Sequence, residues 1–158
     1  MNYVNVEASQ HEMRLIQMGA KVEQVSGKMC YVKFVVEGLP IEYVYNLNKK
    51  NEYFLERIKP YPLPVRSFEN VSDIVDVIDV DIKQFKNAVK SKNIENFTKI
   101  NKELIETVKK FEDLFLYYNV PSAEVDSIIE KINEIQHVII KTKESAERVF
   151  FDKEPDNL

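Results

Sequence analysis

The spacing of apolar residues changes once along the chain. Between residues 28 and 58, apolar and polar side chains alternate in short runs, as in half-buried strands. From residue 70 onward, apolar side chains recur every three or four residues, as on one face of a helix. The pattern predicts an α+β fold: a short N-terminal helix and a small antiparallel β-meander, followed by a three-helix antiparallel bundle with a long C-terminal helical hairpin.

The first predicted helix covers residues 10–18. Ser9 and Glu12 have the spacing of a capping box, in which a hydroxyl and a carboxylate satisfy the free N–H groups of a helix start. Gly19 is expected to end the helix, because glycine adopts the left-handed conformation that a helix C-terminus often needs. A strand-like run follows at residues 21–25, with no readable pairing partner.

The central hairpin is predicted with a definite register. A two-residue turn at Glu37 and Gly38 places Lys33 opposite Glu42, which is an attractive cross-strand pair. A slip of one residue would move every apolar side chain to the other face. On the opposite face the same register makes three apolar pairs: Phe34 with Ile41, Val32 with Tyr43, and Cys30 with Tyr45.

A second hairpin is predicted with its turn at Lys49 and Lys50. This register pairs Tyr45 with Phe54 and Ile41 with Ile58, but it also places Glu56 opposite Tyr43 on the apolar face. Arg57 would then lie beside Glu42 on the outer face. The residues predicted to form a possible interaction surface on that face are Tyr31, Lys33, Glu42, Tyr53 and Arg57.

A proline-rich segment, residues 59–66, separates the two halves. Its prolines lie two residues apart, whereas ligands of polyproline-binding grooves carry them three apart. Proline lacks the N–H group for strand pairing, so the segment is interpreted as an extended strap. The predicted divisions are a β-rich subdomain (1–58), this strap, a helical bundle (67–151) and a polar tail (152–158).

The second half is predicted to be helical. Residues 70–89 also alternate well enough for a strand over 74–82, but their aspartates precede their lysines, as the helix dipole favours. Two longer helices follow, and residues 119–121 are too short a link for anything but a reversal of direction.

The last helix carries a heptad pattern. Apolar positions recur at alternating spacings of three and four from residue 125 to residue 149. Such a seam suits a partner helix, either within the chain or in another chain, and the pattern does not decide between them. The residues of this possible helix interface are Val125, Ile128, Ile132, Ile135, Ile139 and Val149.

Composition narrows the classes of function. The 158 residues have a net charge of −4, one cysteine, three glycines and no tryptophan. A single cysteine fits a reducing compartment, and no apolar run reaches the roughly 18 residues of a membrane span. With no secretory leader apparent at the N-terminus, a cytoplasmic protein without a membrane partner is expected.

Few residues suggest chemistry. Glu134 and His137 have the spacing of di-iron ligands, but the heptad places them on the outer side of the helix. Asp73, Asp76 and Asp79 share a helix face without the glycine-bearing loop of a calcium site. No phosphate-binding loop or nucleophile motif occurs, and Cys30 falls on the apolar face of the sheet. No catalytic residue, cofactor or metal is therefore assigned.

The sequence favours a non-catalytic protein–protein interaction, adaptor or regulatory module that uses the helical hairpin, the sheet face, or both. The expected partner is another protein or a second copy of the chain, and packing of the heptad seam within the chain is an equal possibility to either. One alternative is a nucleic-acid-associated regulatory protein that uses the outer sheet face, against which the acidic charge balance argues. A second alternative is an enzyme or small-molecule binder at the junction of the two halves.

Overall fold

The chain adopts the α+β fold that the sequence predicts. The computed structural model describes residues 3–24, 26–48, 53–68 and 71–158. A four-stranded antiparallel meander in the order β1-β2-β3-β4 follows one helix and precedes three more. The elements are α1 (Tyr3–Gln17), β1 (Gly27–Val36), β2 (Leu39–Asn48), β3 (Tyr53–Lys59), β4 (Leu63–Phe68), α2 (Val71–Ala88), α3 (Ile94–Tyr117) and α4 (Ser122–Ser145).

The register predicted between β1 and β2 is confirmed. Lys33 pairs with Glu42, and the three apolar pairs on the other face are those expected from the alternation. Glu37 and Gly38 both have positive φ, 48° and 85°, as a two-residue hairpin turn of the primed type requires. Only this alignment of β1 with β2 keeps the apolar side chains together on one face and pairs Lys33 with Glu42 on the other.

The register predicted between β2 and β3 is wrong by one residue. Tyr45 pairs with Leu55 and Tyr43 pairs with Arg57, and a bulge between Glu42 and Tyr43 brings Lys59 opposite Glu42. The shift exchanges the two faces of β3, because side chains alternate along a strand. Leu55 and Arg57 therefore face the core. The turn predicted at Lys49 and Lys50 lies outside the described residues.

Much of the segment interpreted as an unpaired strap belongs to the sheet: Lys59 ends β3, residues 60–62 form the link, and β4 begins at Leu63. β4 pairs with β3, and Pro64 lies opposite Glu56 beside a shift in register between Leu55 and Glu56. β4 is the last strand of the sheet, so its outer edge needs no donor, and bulges and edge strands are the places that accept proline. The prediction failed because proline excludes a central strand but not an edge strand.

The N-terminal segment also differs from the prediction. α1 already begins at Tyr3, so Ser9 lies inside the helix and cannot cap its start. Gly19 ends the helix as expected, with a φ of 93° and its N–H donating to the carbonyl of Ile16. Residues 21–24 form no strand.

The core lies between α2 and the inner face of the sheet. α2 is a helix, as its sorted charges indicated, and it buries four side chains at helical spacing: Ile74, Ile78, Ile82 and Phe85. Each such side chain contributes about 1.5–3 kcal/mol of transfer free energy. The sheet supplies Val36, Ile41, Tyr43 and Leu55 to the same cluster.

α3 and α4 are present at the predicted positions, but they bury no side chain. The most extensive contacts between elements of the described chain join neighbouring strands and join α2 to the sheet. From α3, the ring of Phe97 packs edge-on against the rings of Tyr61 and Phe85, with ring centres 5.7 and 6.5 Å away. Tyr118 and Pro121 have extended backbone conformations, so α3 ends and α4 begins with a break in the helical backbone between them. Of the three helices predicted to form a packed bundle, only α2 therefore has fully buried side chains.

Candidate functional site

Three features of the described chain offer polar groups or apolar surface to a ligand. The first is a polar cluster beneath α2, the second is the outer face of the sheet, and the third is the pair of exposed helices α3 and α4.

The polar cluster is centred on Arg57, which β3 points towards α2. Nη1 of Arg57 donates to both carboxylate oxygens of Asp81, at 2.8 and 2.9 Å. The guanidinium carbon lies 4.8 Å from the ring centre of Tyr61 and 5.0 Å from that of Phe85. The Arg57 side chain is only 7% exposed, so its charge depends on Asp81 and the two rings rather than on water.

Tyr43 completes this cluster. Its hydroxyl donates to Oδ2 of Asp81 at 2.5 Å, so one carboxylate connects two strands to α2. Burial, together with the hydrogen bond to the negative Asp81, raises the pKa of Tyr43 well above the ordinary tyrosine value of 10.0. Burial also raises the pKa of Tyr61.

A cleft of about 230 Å³ opens beside the cluster at the junction of the sheet and the helices. Ligand pockets usually measure about 300–1,000 Å³, so this cleft is small. Its charged groups, Arg57 and Asp81, already neutralise each other. Nε of Arg57 is buried and has no hydrogen-bond partner among the described residues. The lining residues are Arg57, Tyr61, Asp81, Gln84, Phe85, Ala88 and Phe97.

Substitution of Tyr43 by phenylalanine tests this geometry. The variant loses a hydrogen bond to a charged acceptor, so we expect its free energy of unfolding in urea to fall by about 1.5 kcal/mol at pH 7. The raised pKa of Tyr43 favours the protonated phenol in the folded state. Its stabilising effect is therefore complete below pH 10.0, and it is lost as the pH rises above that value.

The wild-type chain should accordingly lose stability more steeply above pH 10 than Tyr43→Phe does. Tyr117→Phe is the matched control, because Tyr117 is exposed on α3. Equal alkaline slopes for wild type and Tyr43→Phe would contradict the assignment.

The outer face of the sheet retains three of the five residues predicted there. Tyr31 donates a hydrogen bond to Glu42, and Nζ of Lys59 donates to Glu42 at 3.0 Å. These bonds lower the pKa of Glu42, the first being the larger cause, and the bond to Glu42 raises the pKa of Tyr31. Lys33 lies over the ring of Tyr31, with Nζ 5.0 Å from its centre.

The other two predicted residues of that face are elsewhere. Arg57 faces α2, and Tyr53 packs against the core cluster. The shift in the β2–β3 register moved both, since they share a face of β3. The outer face thus loses one of its two predicted cations and one of its two predicted tyrosines, while Glu42 remains buried at its centre.

The α4 seam, defined as the heptad positions from Val125 to Ile139, is on the helix as predicted. Val125 and Ile128 are half-buried, whereas Ile132, Ile135 and Ile139 are about half exposed. α4 ends at Ser145, so Val149 lies beyond the helix. The backbone carbonyl of Val149 accepts a hydrogen bond from Nδ2 of Asn87 at 3.0 Å, and this brings the end of the chain beside α2.

The residues considered for metal binding are separated or already paired. Asp79 forms an ion pair with Lys83 at 2.7 Å, and Glu134 forms one with Lys131 at 2.9 Å. Within residues 3–24, 26–48, 53–68 and 71–158, no three histidine, cysteine, aspartate or glutamate side chains are grouped as metal ligands would be.

The sequence interpretation missed the role of Asp81. Asp81 lies one residue before Ile82, which belongs to the apolar stripe of α2. Its position at the border of that stripe could have indicated a partly buried carboxylate. A carboxylate at the border of a buried helix face needs a cation, and Arg57 was the cation that the wrong register had placed on the outer face.

Comparison with protein-family models, curated proteins and solved structures gives no significant match. None of the described helices combines the length and the apolar character needed to cross a membrane.

Proposed function

We propose that the chain is a non-catalytic protein-interaction module of the adaptor or regulatory kind. In this proposal α2 and the sheet form the folded base, and the apolar faces of α3 and α4 bind another polypeptide. The base supplies a core of its own, so the two long helices are free to serve binding rather than folding.

The observation that supports the proposal is the exposed apolar surface of the two helices. Each helix has 24 residues and no buried side chain. Contiguous apolar patches of this kind are rare on monomers, and they usually mark interaction sites. The exposed large apolar residues are Phe97, Ile100, Leu104, Val108, Phe111, Phe115, Leu116 and Tyr117 on α3, and Ile129, Ile132, Ile135, Val138, Ile139 and Ile140 on α4.

The spacing on α4 indicates what kind of partner fits. Isoleucines separated by three and four residues form a narrow stripe, which receives the side chains of another amphipathic helix as knobs into holes. A partner with an apolar helix face of its own is therefore the best match.

The other two features support binding less well. The two opposite charges that line the cleft form an ion pair with each other, and the volume of the cleft is below the range of ordinary ligand pockets. On the outer sheet face, Glu42 occupies the centre and binds both Tyr31 and Lys59, which opposes a phosphate backbone.

Face-specific photo-crosslinking in native lysate tests the proposal. A photoreactive residue at Ile135 should give discrete protein adducts, because that position lies in the α4 seam. The same residue at Asn133 or His137 is the matched control, since both lie on the other side of α4. Ile139→Asp should reduce the Ile135 adducts at least tenfold, because a charge in the seam must then be desolvated on binding.

Equal yields of adducts from Ile135, Asn133 and His137 would contradict the proposal, and so would the absence of adducts from Ile135. Adducts that survive Ile139→Asp would show that the seam does not carry the binding.

A further inference from the structure

We infer that the cleft beside the polar cluster binds a small, neutral, planar molecule that has one ring and a hydrogen-bond acceptor such as a carbonyl group. The cleft lies where β3, α2 and the first turn of α3 meet, and no residue of the α4 seam lines it. Binding there goes beyond the proposed function and does not depend on it. The donors that line the cleft, its charge balance, its aromatic walls and its volume together define the ligand.

Arg57 has more hydrogen-bond donors than the chain uses. A guanidinium carries five N–H groups, and Asp81 accepts only from those on Nη1. Nε is buried without a partner among the described residues, and Nη2 donates to none of them either. Buried polar groups are nearly always hydrogen-bonded. Since Arg57 lines the cleft, a ligand that accepts a hydrogen bond there would supply the missing partner.

Tyr61 adds a further donor to the same cleft. Its side chain is buried, and its hydroxyl forms no hydrogen bond with a described residue. Burial raises the pKa of Tyr61, so the phenol stays protonated at neutral pH and is able to donate. The unused groups of Arg57 and Tyr61 are thus donors, and they select a ligand that accepts.

The charge balance of the cleft selects a neutral ligand. Arg57 and Asp81 form an ion pair at 2.8 Å, and the other lining residues carry no charge. A carboxylate ligand would share one guanidinium with Asp81 and would leave a second negative charge in a largely buried place, which is costly. A cationic ligand would lie against the guanidinium and be repelled by it.

Aromatic rings form the walls of the cleft. Phe97 packs edge-on against Tyr61 and Phe85, and rings favour edge-on or offset contacts with a further ring. Ala88 lines the helix side of the cleft with a single methyl group, which leaves room for a ligand. An apolar cavity of about 150 Å³ holds benzene, so the cleft of about 230 Å³ accommodates one ring with a short polar substituent.

Nuclear magnetic resonance titration of the full chain with benzamide tests the inference. Benzamide is neutral and planar, and its carbonyl group is an acceptor. We expect it to shift the backbone amide signals of Tyr61, Gln84, Ala88 and Phe97, with a dissociation constant of about 1–10 mM, as suits so small a ligand. Benzoate has the same ring with a negative charge, and we expect its dissociation constant to be at least fivefold higher.

The absence of shifts at these four residues, up to the solubility limit of benzamide, would overturn the inference. Shifts confined to α4 would overturn the assigned site. Benzoate that binds as tightly as benzamide, or more tightly, would overturn the neutral class of ligand.

Variants of the cleft provide a second test. Ala88→Leu fills the cleft from α2 and leaves the ion pair intact, so it should raise the dissociation constant of benzamide at least tenfold. Arg57→Met with Asp81→Leu removes the guanidinium donors and replaces the buried pair with apolar side chains, and we expect a similar loss. Val75→Ala is the matched control, because Val75 is exposed on α2 and does not line the cleft.

Dispersed amide signals show whether each variant is folded, and the two cleft variants act by different means, so the test does not depend on either one alone. Unchanged binding of benzamide by a folded Ala88→Leu chain would overturn the site. Unchanged binding by the folded double variant would overturn the role of the Arg57 donors.

Discussion

Replacing Asp81 with alanine should destabilise the chain by about 3–5 kcal/mol, the largest effect expected from a single substitution. The change leaves the guanidinium of Arg57 buried without its counter-ion, and the loss of one partner from a buried ion pair costs about that much. The phenol of Tyr43 loses its acceptor at the same time. Urea denaturation followed by circular dichroism measures the change.

Asp79→Ala is the matched control. Asp79 lies on the same helix, and its ion pair with Lys83 joins two side chains that are more than half exposed, so its loss should cost less than about 1 kcal/mol. Replacing both members of the buried pair, as in Arg57→Met with Asp81→Leu, should recover most of the stability lost in Asp81→Ala. Equal destabilisation by Asp81→Ala and Asp79→Ala would contradict the ion pair at the core.

Replacing Ile74 with alanine should cost about 2–5 kcal/mol. Ile74 has no exposed surface and lies where α2 meets the sheet, so the variant loses transfer free energy and leaves a cavity. Val75→Ala is the control, because Val75 is the next residue of α2 and is 57% exposed. We expect that variant to stay within about 0.5 kcal/mol of wild type in the same urea titration.

A loss of less than about 1 kcal/mol in Ile74→Ala would contradict the position of the core. It would mean that α2 is not the helix that covers the sheet.

How much of the sheet could be predicted depended on the constraints at each strand pair. The β1–β2 register could be predicted because Gly38 marks the turn and because one alignment gives both apolar pairs on one face and a charge pair on the other. The β2–β3 register had no glycine in its turn, and a bulge beside Glu42 breaks the simple pairing rule. The misplaced Glu56 opposite Tyr43 was the sign of the error, and moving the register by one residue removes it.

The polar cluster could not be predicted from local sequence. Arg57 reads as a surface residue because its partner, Asp81, is 24 residues away on another element. Only the register of β3 together with the rotation of α2 brings them together, and the first of these was wrong. Proline rules likewise identified residues 59–66 as extended, but they could not show that β3 offers an edge there.

For the helices, the position of the apolar residues could be predicted but their packing could not. Heptad spacing was sufficient to predict the position of the α4 seam, since Ile132, Ile135 and Ile139 do lie along one side of a helix. Spacing contains no information about what covers a seam, however, so the packed bundle expected along α3 and α4 did not follow from it. The exposure of both helices could not be predicted from the spacing and is seen only in the structure.

The central claim is that the α4 seam serves binding and not the core of its own chain. The free energy of unfolding of Ile132→Asp/Ile139→Asp, measured by urea denaturation at a concentration where the wild-type chain is monomeric, tests it most directly. We predict a value within about 0.5 kcal/mol of wild type, because both side chains are about half exposed in the single chain. A loss of more than about 3 kcal/mol would place the seam in an intramolecular core and contradict the account.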